Sequence, residues 1–191
     1  MNLNSKLFQE AKKYIVGGVN SPVRSFKAVG GTPIFVKRAS GSKILGEDSR
    51  TYIDYCLSWG ALLLGHAHKA VVSEVKKAVE RGTSYGAPTK IETEFAKRIT
   101  KAVPSMERIR LVSSGTEAAM SAVRTARGYT RKNKLIKFKE CYHGHSDYFL
   151  EGKSAGVSPN LSRDVLNLDY NKLEQVERAL AVAGVRALEL V

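Results

Sequence analysis

The chain of 191 residues is long enough for one substantial core or about one and a half domains, and its 43% hydrophobic and 26% charged residues fit a globular protein in water. No apolar run approaches the ~20 residues that span a bilayer, so a membrane-spanning helix is not expected. The net charge of +13 comes from 31 Lys and Arg against 18 Asp and Glu, but the basic residues are dispersed, as in Lys76-Lys77 and Arg131-Lys132, so no nucleic-acid-binding module is indicated.

The opening stretch MNLNSKLFQEAKKY lacks the apolar segment of a secretory signal. It reads instead as an amphipathic helix over residues 4–16, capped by Asn4 or Ser5, with Leu7, Phe8, Ala11, Tyr14 and Ile15 on one face. Gly17-Gly18 ends it, and VNSPVRSFKAVGGTP follows as Pro- and Gly-punctuated loop. The segments PIFVKRASG, SKILGEDS and TYIDYC predict three short antiparallel strands, with Glu47-Asp48-Ser49 turning between the last two. From His68 the period becomes helical through Val71, Val72, Val75 and Val79. A second helix carries Ile91, Phe95, Ile99 and Val103 and stops at Pro104. Then come a strand RIRLVS, a helix GTEAAMSAVRTARGYT, a strand KLIKFK, a strand DVLNLD, a helix NKLEQVERALAVA and an apolar run VRALELV. Strands alternating with helices imply an α/β fold with a mostly parallel sheet. Residues 1–60 are expected to form a small N-terminal region and residues 61–191 an incomplete larger domain, since VRALELV reads as a buried strand with nothing after it.

The joint between RIRLVS and its helix is the first candidate site. A helix that starts beyond a strand of a parallel sheet offers unpaired N–H groups and the positive end of its dipole. Gly115 admits an anion close to the backbone, and Ser113, Ser114 and Thr116 carry hydroxyls, as a phosphate cup requires. Ser114 and Glu117 also form an S-x-x-E capping box, which requires no ligand. Both readings stand on spacing alone.

All four histidines lie in H-x-H pairs, His66/His68 and His143/His145. Spacing of i,i+2 turns neighbours to opposite sides of a strand, and no carboxylate or thiolate cluster completes a ligand set, so no metal is expected. Cys56 and Cys141 match neither a disulfide framework nor a zinc pattern, which points to a reducing cytoplasm. Tyr142 follows KLIKFK at the same sheet edge as the Ser-Gly-Thr joint, where its ring could stack on a planar ligand or simply pack. Trp59, the only tryptophan, is either core or pocket wall, and Arg24, on a Gly- and Pro-shaped loop, is either solvated, as loop arginines usually are, or aimed as a carboxylate clamp.

Taken together, GGVNSPVRSF, LSWGALLLGHAH, YGAPTKIETEFAKRI, VSSGTEAAMSAVRTAR and KFKECYHGHSDYF resemble the glutamate-1-semialdehyde 2,1-aminomutases, a vitamin-B6-dependent branch of the class III aminotransferases. The resemblance runs over about residues 5–150. It implies the aspartate-aminotransferase fold, a homodimer, and a pyridoxal or pyridoxamine 5'-phosphate cofactor. The implied reaction converts glutamate-1-semialdehyde to 5-aminolevulinate for tetrapyrrole synthesis. Carried to matching positions, Ser114, Gly115 and Thr116 would hold the cofactor phosphate, with Tyr142 against the pyridine ring and His143 close by. Arg24, helped by Ser21, would bind the substrate carboxylate, and Trp59 would wall the substrate pocket. The family's Schiff-base lysine and the aspartate on the pyridine nitrogen have no match, so no residue is nominated as catalytic and the chain alone is expected not to complete the reaction. EGKSAGVSPN is shorter than the family's mobile lid, Glu140 stands where the family usually has glycine, and Ala61 replaces a usual proline. An ordinary class III aminotransferase, or an inactive fragment that only binds or assembles, is the alternative.

Overall fold

The computed structural model describes residues 2–150 and 155–182. The chain forms two compact units, residues 1–89 and 90–191.

The first unit opens with helix α1, Leu3–Tyr14, whose cap is Asn2 rather than Asn4 or Ser5: the Asn2 side chain accepts from the Ser5 N–H at 2.8 Å. Asn4 is buried and used elsewhere. Its amide donates to Asp48 Oδ2 at 3.1 Å, and its oxygen accepts from the Phe35 N–H at 3.1 Å. A buried amide of this kind must be satisfied on both ends, which takes it out of contention as a cap. After two 3₁₀ turns, Val16–Gly18 and Pro22–Ser25, come strands β1 (Val36–Ser40), β2 (Lys43–Gly46) and β3 (Thr51–Ile53). They form an antiparallel sheet in the order β1-β2-β3, as expected, though each strand is shorter than its sequence pattern. Asp48 organises the turn before β3 by accepting from the Tyr52 hydroxyl at 2.8 Å and the Arg50 N–H at 3.1 Å. The Asp54-Tyr55-Cys56 end of TYIDYC leaves the sheet, because Asp54 turns its carboxylate onto the backbone that follows it. Helix α2, Lys69–Val79, closes the unit.

In the second unit, α3 (Lys90–Ala102) is followed by a stretch without regular structure where the strand RIRLVS was expected. A strand needs a ladder partner, and none of the described residues supplies one; Leu111 and Val112 are accordingly 46% and 40% exposed. Helix α4 runs Gly115–Thr130 and leads into β4, Leu135–Phe138. A short helix α5, Pro159–Ser162, which the sequence pattern did not signal, precedes β5, Val165–Leu168, and then α6, Leu173–Val182. Strands β4 and β5 are parallel, with Leu135 opposite Val165 and Phe138 opposite Leu168. Leu135, Ile136 and Lys137 are all buried, as a parallel strand covered on both faces requires. Val123 of α4, Leu135, Val165 and Phe149 make the core, with Ala119 and Tyr148 packed against it. The run VRALELV and the first part of EGKSAGVSPN lie outside the described residues. No described helix is long and apolar enough to cross a membrane.

Candidate active site

Strands β4 and β5 end side by side, and the Lys139 N–H extends their ladder to the Leu168 carbonyl at 2.8 Å. The chain then turns at Glu140, which holds a left-handed φ of +60°. That conformation costs a side chain about 1 kcal/mol that glycine avoids, a physical reason for glycine at this position in the family the sequence resembles. The loop folds back onto the start of α4. Gly144, at φ +109°, lies so close to Thr116 that a Cβ would stand 2.7 Å from Thr116 Oγ1 and 2.9 Å from Thr116 Cα. The His145 N–H donates to the same Oγ1 at 3.0 Å. Gly144 is therefore glycine by fit as well as by φ, and the close approach joins the Y-H-G-H segment to the Ser-Gly-Thr joint.

At that joint Ser114 is the cap: its Oγ accepts from the Glu117 N–H at 3.2 Å. The expected box is present in altered form, since the Glu117 carboxylate accepts from the Ser114 hydroxyl at 2.9 Å. The first bond of the α4 ladder runs from Ala118 N–H to the Ser114 carbonyl at 3.1 Å. Ahead of it, the N–H groups of Gly115 and Thr116 meet no acceptor among the described residues. A Cβ on Gly115 would meet nothing within 4 Å. Two free amides, an accessible backbone and the positive dipole end make a donor set that fits a phosphate group. Glu117 opposes this with its charge, but that carboxylate is tied back to Ser114.

On the loop that folds back, Tyr142 is 81% exposed. His143 turns inward: its ring lies 6.0 Å from that of Phe149, and its buried Nε2 finds no partner among the described residues. Burial, and then the charge of Lys137, hold the His143 pKa below its ordinary value and keep the imidazole neutral at pH 7. Lys137 is itself buried, with its ammonium donating to the Phe149 carbonyl at 2.9 Å.

The other expected site residues belong to the first unit. Ser21 and Arg24 share one 3₁₀ turn, in which the Arg24 N–H donates to the Ser21 carbonyl at 3.0 Å and Phe26 closes the turn at φ +59°. The Arg24 guanidinium is exposed and pairs with no carboxylate among the described residues. Trp59 lies on the segment between Asp54 and His66 and is 75% exposed, which removes the core reading. It occupies a left-handed turn: Leu57, Ser58, Trp59 and Gly60 have φ of +44°, +53°, +61° and +90°. Each non-glycine residue there costs roughly 1–2 kcal/mol, so the surroundings must hold the turn.

Asp54, which sequence reasoning passed over, and His66, which it weighed only as a metal ligand, do so. Asp54 Oδ1 accepts from the Cys56 and Leu57 N–H groups at 2.8 and 3.0 Å, and Oδ2 meets His66 Nε2 at 2.7 Å. The His66 bond, and then the Leu57 amide, hold the Asp54 pKa below its ordinary value. An aspartate two residues before a turn is a legible signal; the alternation of TYIDYC masked it. Among the described residues no group of three or more His, Cys, Asp or Glu is placed to hold a metal.

The class III aminotransferase profile matches residues 26–180. A glutamate-1-semialdehyde 2,1-aminomutase from a Polaromonas species is 53% identical over 96% of this chain, which spans 44% of that relative's length. Among solved structures, an omega-transaminase from Sphaerobacter thermophilus superposes with a TM-score of 0.86 at 27% identity, over 95% of this chain and 44% of its own. A transaminase with PLP bound does so with a TM-score of 0.85 at 29% identity, over 93% of this chain and 44% of its own. The chain thus spans less than half the length of the relatives it matches. With that profile running across both units, the chain belongs to the class III aminotransferase family.

Proposed function

We propose that this chain carries the cofactor-phosphate and substrate-carboxylate elements of a glutamate-1-semialdehyde 2,1-aminomutase, a homodimeric cytoplasmic enzyme of tetrapyrrole synthesis that uses pyridoxal or pyridoxamine 5'-phosphate. One observation carries the reading: the fit of Gly144 against Thr116, which brings the Y-H-G-H backbone against the start of α4. Identities of 51–53% over 95–96% of the chain with four glutamate-1-semialdehyde 2,1-aminomutases support the aminomutase over a ketoacid-dependent aminotransferase. In this reading residues 1–60 form the small N-terminal region and residues 61–191 the first part of the cofactor domain.

When bound, the cofactor supplies an electron sink in its pyridine ring. The residues of this chain bind and orient. The Gly115 and Thr116 amides, with the Thr116 hydroxyl, take the phosphate, and Ser114 fixes the helix start that presents them. Tyr142 covers one face of the ring. His143, neutral and half-buried, supports the loop behind Tyr142 without adding a charge next to the ring. Arg24 clamps the substrate carboxylate from the turn it shares with Ser21; a planar guanidinium suits a group that stays ionised throughout the reaction. Trp59 walls off the substrate from water. No lysine of this chain is assigned to covalent attachment; the buried one, Lys137, spends its ammonium on the Phe149 carbonyl.

Calorimetric titration tests the phosphate cup. Pyridoxamine 5'-phosphate is expected to bind the chain at least about tenfold more tightly than pyridoxamine, a difference of ~1.4 kcal/mol. Thr116→Val and Tyr142→Ala should each weaken it. Equal affinity for the two compounds would remove the cup.

A further inference from the structure

The segment 54–66 is a loop closed at its neck, and the proposed reaction residues do not account for how it is built. Its first residue is fixed to the β1–β2 hairpin by the Asp54 N–H, which donates to the Ser42 carbonyl at 2.8 Å. Its last residue is fixed to the same hairpin by a reciprocal pair: Gly41 N–H to the His66 carbonyl at 2.9 Å, and His66 N–H to the Gly41 carbonyl at 2.8 Å. Gly65 is pressed so close to Gly41 that a Cβ would stand 2.8 Å from the Gly41 carbonyl oxygen. Across this neck the Asp54 carboxylate reaches His66, and its other oxygen holds the Cys56 and Leu57 amides at the start of the strained turn. Inside the turn the Trp59 N–H donates to the Cys56 carbonyl at 2.9 Å and the Leu62 N–H to the Leu57 carbonyl at 3.1 Å, with longer bonds from Gly60 to Cys56 at 3.3 Å and from Ala61 to Ser58 at 3.4 Å. These bonds leave the Cys56 and Leu57 N–H groups to Asp54, whose carboxylate is the one side chain that hydrogen-bonds the turn from outside among the described residues.

We propose that Asp54 is a positioning residue for Trp59: one carboxylate oxygen on the Cys56 and Leu57 amides, and the other on His66, hold the left-handed turn that presents the indole. This rests on the reading of Trp59 as a substrate wall for its use, but not for its geometry. His66 acts through Asp54 by keeping the carboxylate in register with the amides. Asp54 touches no reacting atom, and its removal lets Leu57–Gly60 relax toward right-handed conformations that turn the indole away.

The full 191-residue chain suits the test, because its single tryptophan reports on the turn directly. The amide order parameters of residues 57–60 and the Trp59 indole resonance are measured for the native chain, D54A, D54N and H66Q. In D54A the order parameters should fall from the rigid range near ~0.85 to below ~0.6, with strand β2 unchanged. D54N keeps an oxygen for both amides and should lie between the two, a graded rescue that loss of bulk alone would not give. H66Q should shift the indole less than D54A does. An unaltered turn in D54A overturns the proposal; if D54A does not fold, unaltered residues 57–60 in both D54N and H66Q overturn it. Quenching of Trp59 emission by 5-aminolevulinate tests the substrate wall separately. If the native chain shows no quenching while D54A still loosens the turn, the wall reading fails and the positioning role stands.

Discussion

Two loops of this molecule each display an exposed aromatic side chain at the candidate site, Trp59 and Tyr142, and they are held by different balances of polar bonding and fit. The loop bearing Trp59 is gripped by a carboxylate that bonds two amides and a histidine. The loop bearing Tyr142 is held by fit, with Gly144 against Thr116, His143 turned inward and Phe149 in the core. Polar bonds to a carboxylate change with pH and tolerate an isosteric amide. The contact of Gly144 with Thr116 holds no titrating group and tolerates no added methyl, while His143 in the same loop is kept neutral by burial and charges only at a cost as pH falls. The same structural outcome, an exposed ring, thus has two different vulnerabilities.

The most direct way to break the packed loop is Phe149→Ala. It removes a buried ring and should cost about 3–5 kcal/mol of stability, read from urea unfolding. Gly144→Ala comes next. The new methyl meets Thr116 backbone at 2.9 Å in a left-handed conformation, so a loss of roughly 2–3 kcal/mol is expected, together with weaker binding of pyridoxamine 5'-phosphate in the same titration as above. Glu140→Gly sharpens the comparison from the other side: it relieves a left-handed glutamate and should raise stability by about 1 kcal/mol, seen as a later thermal midpoint. The smallest effect belongs to the Trp59 loop. The Asp54 pKa is lowered in the folded chain, so its contribution is fully present above the ordinary aspartate range near ~3.9 and is lost as pH falls through the lower folded value. The acid limb of the stability profile should flatten in Asp54→Asn, while Gly144→Ala should leave its slope unchanged.

Most of the helices were legible because their apolar periods and end signals agree. Helix α4 matches its sequence pattern from Gly115 to Thr130. What the pattern could not carry was pairing. RIRLVS alternates like a strand, but ladders are made between segments, and a one-dimensional reading has no access to the partner. The site was legible in its residue types and not in its contacts. Ser114 as a cap followed from S-x-x-E, whereas the close approach of Gly144 to Thr116 joins positions 28 apart and left no local trace. Asp54 was hidden by a strand-like neighbourhood, and the left-handed run at Leu57–Gly60 has no sequence signature, since leucine and tryptophan are among the residues that least favour it.

Asn4 has a consequence for how the first unit comes apart. Its amide spans from α1 to Asp48, 44 residues away, while its oxygen holds Phe35. Asp48 in turn receives Tyr52 and Arg50. Helix α1, too short to persist in isolation, is therefore wired to the hairpin through one side chain, and neither should open without the other. In hydrogen exchange, the α1 amides and those of β2 and β3 should share a single opening free energy, and Asn4→Ala should split them into two.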